Sequence, residues 1–75
     1  MSRVQYYENG KPNVKAEYKD DIPHGVSTWY NEYETKTSEV NFMNGKKEGI
    51  QSFWNGNGIL IKEEVYENGE LIETR

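Results

Sequence analysis

The chain has no cysteine and only two prolines among its 75 residues. The first absence excludes disulfides and thiolate metal sites, and it leaves the redox compartment open. Aliphatic residues are scarce as well. Hydrophobic residues make up 33% of the chain and the mean hydropathy is −1.06. No segment approaches the roughly 20 apolar residues that a membrane-spanning helix needs. The opening residues, Met1-Ser2-Arg3-Val4-Gln5-Tyr6, carry no apolar run. A secretory signal of the usual kind is therefore not expected, and a cytoplasmic location is. Positive charge is also in short supply, with 9 basic against 13 acidic residues and a net charge of −4. Lys46-Lys47 is the only basic pair. Phosphate backbones and anionic membrane surfaces both require clustered cations, so neither nucleic acid nor a membrane is the expected partner.

What the chain does have is aromatic residues and turn formers. Aromatics reach 13%, whereas disordered chains are usually poor in them. A chain of this length forms one small domain that buries only about 60% of its unfolded surface. Its stability margin is correspondingly thin.

Subtraction of residue numbers exposes an internal repeat. Tyr18, Phe42 and Tyr66 are spaced by 24, as are Tyr6, Tyr30 and Trp54. Asp20, Asn44 and Asn68 keep the same spacing, and so do Gly25 and Gly49. The units are 2–25, 26–49 and 50–75, in one domain spanning 1–75. Each unit reads as two strands and two turns. Asn9-Gly10, Asn44-Gly45, Asn57-Gly58 and Asn68-Gly69 suit the positive φ angles of type I′ hairpins. Asp20-Asp21 and Glu32-Tyr33-Glu34 hold equivalent places. Pro12 and Pro23 fall at turns or their edges, where a missing N–H does no harm. Gly or Pro interrupts every stretch of helix-forming length. The one ambiguous run, Ile59 to Tyr66, is short and flanked by Gly58 and Gly69, which favours a strand.

The expected fold is therefore all-β: an antiparallel meander of tandem hairpins, about six or seven strands in a single open twisted sheet. Alternation puts Val4 and Tyr6 on one side of their strand, with Val26, Thr28, Tyr30 and Ile50, Ser52, Trp54 alike in theirs. In the second strands Ala16-Tyr18 and Val40-Phe42 share a side, while Lys15, Glu17, Glu39 and Asn41 point away. One aromatic ladder is expected along the sheet. Gly25 and Gly49 open the following strands, where close approach by a neighbouring ring is the expected reason for glycine. In the third unit Glu73 stands where glycine stood, and Glu64 where Ala16 and Val40 stood. Terminal repeats commonly depart from the pattern because they cap the array.

The strings Tyr18-Lys-Asp-Asp-Ile-Pro-His-Gly25 and Phe42-Met-Asn-Gly-Lys-Lys-Glu-Gly49 resemble the MORN repeat (membrane occupation and recognition nexus). Tyr6-Tyr7-Glu8-Asn9-Gly10-Lys11 and Tyr66-Glu67-Asn68-Gly69-Glu70 are similar to its bacterial variant, found in YwqK-type antitoxins. Asp21, Glu32-Tyr33-Glu34 and Glu73 depart from that pattern. The resemblance implies a hairpin-repeat sheet and an antitoxin or immunity-like protein that masks a toxin. Its alternative implication, carried by the family's name, is a scaffold associated with a lipid or membrane surface.

Residues that could carry chemistry are few. His24, the only histidine, lies near Asp20 and Asp21, but a metal site needs three or four converging ligands and a second shell. The expected role of His24 is that of a solvated turn residue. Glu63-Glu64, and Glu17 with Glu39, would need burial to serve as acid and base, and an open sheet leaves them solvated. Gly56-Asn57-Gly58 precedes no helix, so it reads as a turn rather than a phosphate loop. No catalytic, cofactor-binding or metal residue is thus expected, and no enzyme. The expected activity is protein binding. Tyr6, Tyr30 and Trp54 would anchor the partner, and Glu17, Glu39 and Glu63, one per unit, would steer it. The acidic balance is compatible with covering a basic surface. The first and last strands are edges through which a homodimer is also expected.

Overall fold

The computed structural model describes residues 1–75. Eight strands form one antiparallel sheet: β1 (Ser2–Tyr6), β2 (Pro12–Lys19), β3 (Ile22–Tyr30), β4 (Lys36–Met43), β5 (Lys46–Lys47), β6 (Gly49–Trp54), β7 (Leu60–Glu67) and β8 (Glu70–Thr74). The path through the sheet is β1-β2-β3-β4-β6-β7-β8, with the two-residue β5 pairing β4 beside the start of β6. There is no helix. The extents are 35 × 32 × 12 Å, the thickness of a single layer. Only six residues are buried, against 45 backbone hydrogen bonds. The ladder and its turns therefore carry more of this fold than a hydrophobic core does.

Two kinds of turn alternate, each with the period of 24. At one end of the sheet, Asp20-Asp21, Asn44-Gly45 and Asn68-Gly69 all have positive φ at both residues, as a type I′ hairpin requires. At the other end the N–H groups of Gly10, Glu34 and Gly58 donate to the carbonyls of Tyr7, Asn31 and Asn55. There only Gly10, Glu34 and Gly58 have positive φ, while Asn9 and Asn57 do not. Asn9-Gly10 and Asn57-Gly58 are thus not type I′ turns, contrary to expectation. Their asparagines have a different job or none. Asn9 Oδ1 accepts the Lys11 N–H, but in the third unit the equivalent work falls to Asn55, whose Oδ1 accepts from Asn57 and Ile59. Asn31 does the same for Tyr33 and Thr35.

The register sorts the side chains into rows. Gln5, Val14, Trp29, Ser38, Phe53 and Lys62 lie opposite one another across the six strands, hence on one face. Ala16, Ser27 and Val40 form a further row on that face. Five of the six buried residues are here: Ala16, Ser27, Ser38, Val40 and Gln51. Val4, Lys15, Thr28, Glu39, Ser52 and Glu63 form a row on the opposite face. The single aromatic ladder expected from the sequence is in fact two. Tyr18, Trp29, Phe42, Phe53 and Tyr66 line the core face; Tyr6, Tyr30 and Trp54, one residue on from the Gln5–Trp29–Phe53 row, line the other.

Gly25 and Gly49 have positive φ, and each lies in a wide bulge. Between the Lys15–Thr28 and Tyr18–Pro23 pairs, β3 carries two more residues than β2. An added Cβ on Gly25 would lie 3.0 Å from Glu17 Cβ. The close neighbour is therefore a glutamate methylene, not the expected ring. A Cβ added on Gly49 would meet nothing within 4 Å, so there the φ angle alone explains the glycine. Glu73 lacks a positive φ, and β8 has room for only one extra residue, Ile72, between the Val65–Glu73 and Tyr66–Leu71 pairs. Thr74 consequently faces Glu64, where continuation of the repeat would put Arg75. With a non-glycine residue at this place the register is one residue short of that of the earlier units.

Candidate functional site

His24 is a strand residue rather than a turn residue. It is half-buried in β3, and its Nδ1 accepts the Asn44 N–H at 3.3 Å. One period on, Glu48 Oε2 accepts the Asn68 N–H at 2.8 Å. The Gly45 and Gly69 N–H groups likewise donate to the carbonyls of Pro23 and Lys47. The Asn44-Gly45 and Asn68-Gly69 tips are thus each pinned to a strand of the preceding unit. No group of three or more His, Asp or Glu converges in the manner of a metal site.

Glu64 departs from the solvated state expected of it. Its side chain is only 14% exposed, 3.3 Å from Lys62 Nζ, and it accepts the Tyr66 hydroxyl at 3.2 Å. Partial burial, then the Glu64 hydrogen bond and charge, raise the Tyr66 phenol above its ordinary pKa. This cluster lies on the core face, where Glu64 replaces the small apolar residues of the earlier units. Glu63 and Glu64 lie on opposite faces of β7, and Glu64 is tied to Lys62.

The six residues singled out from the sequence all lie on the face opposite the core. Tyr6, Tyr30 and Trp54 occupy its loop end, paired with Pro12, Lys36 and Leu60. Tyr6 is 61% exposed; Tyr30 and Trp54 are half-buried. Glu39 and Glu63 share the next row on that face. Glu17 lies one row further, opposite Ser2, whose hydroxyl donates to it at 2.8 Å. Glu17 is thus out of line with the other two glutamates, because Lys15 holds the equivalent place.

Two residues that sequence reasoning left aside complete this face. Lys15 Nζ lies 5.5 Å from the Tyr30 ring centroid, and Lys36 Nζ 4.5 Å from that of Trp54. Lys36 also lies 3.4 Å from Glu39 Oε2. Periodicity could not have singled out Lys36, whose equivalents are Pro12 and Leu60. Thr28, the one buried residue on this face, donates to Glu39 at 3.5 Å. A shallow recess beside Tyr30 is lined by Pro12, Lys15 and Glu34. Exposed Val4, Val26, Ile50 and Leu60 add apolar surface.

No protein-family model matches the chain, and no curated protein or solved structure matches it either.

Proposed function

We propose that this protein is a non-enzymatic protein-interaction module that masks a partner, in the manner of an antitoxin or immunity protein. One observation carries the reading. The sheet is a single layer 12 Å thick, and the face bearing Tyr6, Tyr30 and Trp54 has no second layer over it. Sheets with an apolar face ordinarily bury it against another element. Aromatic anchors dominate interface energies, and carboxylates beside them speed and orient encounter. The repeat's resemblance to MORN-type antitoxins supports the specific form of the proposal.

The test is reconstitution with the partner purified alongside the chain from its source cells, followed by Trp54→Ala and Glu39→Lys. The expected result is at least tenfold weaker binding for each variant, with an unchanged circular dichroism spectrum. A partner that binds both folded variants as tightly as the parent would show that this face is not the interface.

A further inference from the structure

We propose that the outer face takes a polypeptide segment with lysine or arginine at every third position, whose cations sit over Tyr6, Tyr30 and Trp54. The inference rests on the interaction reading above and gives its partner a chemistry. The structure already places a cation over two of the three rings, Lys15 over Tyr30 and Lys36 over Trp54. At Trp54 the cation is held from both sides, by the ring at 4.5 Å and by Glu39 Oε2 at 3.4 Å. A ring beside a carboxylate is a cation site, and here an internal lysine fills it. That lysine is 42% exposed and its carboxylate 39%, so both are open to exchange with an incoming side chain. Tyr6 has no cation over it and is 61% exposed. Against Lys15 and Lys36 the face sets Glu17, Glu39 and Glu63, which leaves it net negative.

The core face also holds cations over rings; Arg3 over Tyr18, beside the exposed Asp21, is as open as the outer-face pairs, but the two lysines of that face are tied to buried partners. Lys62, over Phe53, is tied to the 14%-exposed Glu64, and Lys47, over Tyr66, donates to the buried Gln51 at 2.8 Å.

Spacing fixes the ligand's pattern. β1, β3 and β6 are each two places apart in the sheet, so the three rings repeat at about 9.5 Å. A polyproline II segment has three residues per turn and rises about 3.1 Å per residue, which brings side chains to one side every ~9.3 Å. A basic residue at every third position therefore meets successive rings without strain. Adjacent basic residues do not.

The experiment titrates the chain with two synthetic peptides of one composition, one repeating Arg-Pro-Pro three times and the other carrying its three arginines together. Binding is read from the Trp54 indole resonance, with Trp29 on the opposite face as the internal reference. The spaced peptide should bind saturably and more tightly than the clustered one. Lys36→Met, which vacates the Trp54 site, should tighten binding by about two- to fivefold, the range of one exposed cation–π pair. Lys62→Met makes the same charge change on the core face and should leave affinity within twofold. The proposal is overturned by an unmoved Trp54 resonance, by equal affinity for the two peptides, or by equal effects of Lys36→Met and Lys62→Met. A protein partner that depends on Trp54, from a chain that ignores the spaced peptide, would sustain the masking function and refute this inference alone.

Discussion

Single residues show where the repeat is strained. Glu34 has a φ of 67°, at the place where Gly10 and Gly58 sit. A left-handed conformation costs a residue with a Cβ about 1–2 kcal/mol. Glycine would remove that cost but give the unfolded chain about 0.4–1 kcal/mol of extra freedom. Glu34→Gly should therefore stabilise the protein by roughly 0.5–1 kcal/mol, read as a higher urea midpoint with unchanged slope. Tyr66 makes a second residue-scale prediction. Its phenol is held above the ordinary value in the folded state, so both states are protonated at neutral pH. As pH rises through about 10 the unfolded chain ionises first, and stability falls. Tyr66→Phe should show a smaller loss between neutral and alkaline urea titrations than the parent, the other five tyrosines being common to both. Both sites were partly legible. The misfit of Glu34 follows from the period alone, whereas the raised pKa of Tyr66 depends on its partial burial and then on Glu64 beside it.

At the scale of elements, the hairpin tips hold the units together. His24 and Glu48 are chemically unlike, yet both accept the N–H of the next tip's first residue. Periodicity equates the positions, but two such different side chains gave no sign of a shared role. His24→Ala should remove one hydrogen bond, about 1 kcal/mol, and speed hydrogen exchange at the Asn44 amide. His24→Glu should restore its protection, since glutamate does this work one unit later. A fast-exchanging Asn44 in both variants would mean that the tip is held by the Gly45–Pro23 bond alone. The terminal bulge makes a separate prediction. Glu73→Gly supplies the left-handed residue that Gly25 and Gly49 supply, so β8 should adopt the wide bulge of the earlier units. Cross-strand nuclear Overhauser contacts would then move from Glu64–Thr74 to Glu64–Arg75. Retention of the Glu64–Thr74 contact would show that the slip has another cause.

The whole molecule is a sheet without a second layer, and its energetics follow from that. At the low end of the usual range per residue, a 75-residue chain has about 4 kcal/mol of stability. A fully buried tryptophan truncated to alanine costs about 3–5 kcal/mol, so half-buried Trp54 should cost roughly 2 kcal/mol. Trp54→Ala should thus halve the stability in urea titration and still leave most of the chain folded at 25 °C. A loss as large as that of a core tryptophan would mean that the ring is covered in solution, as a second copy on this face would cover it. Analytical ultracentrifugation would identify that copy directly.

The sequence by itself determined the strands, the period, the ends of the sheet and the membership of each face within a strand. These follow from local rules: φ preferences at turns and alternation along extended backbone. It also placed Tyr6, Tyr30 and Trp54 at equivalent points. Only the tertiary structure decided which faces of neighbouring strands coincide. Register depends on the two extra residues in each bulge, and one residue more or fewer sends a side chain to the opposite face. That is why one expected ladder became two and why Lys36 came to rest over Trp54, whereas the displacement of Glu17 from the row of Glu39 and Glu63 follows from the period itself, which equates those two with Lys15. Cross-strand neighbours are set by hydrogen bonds between segments far apart in the chain, and no pattern within a single strand encodes them.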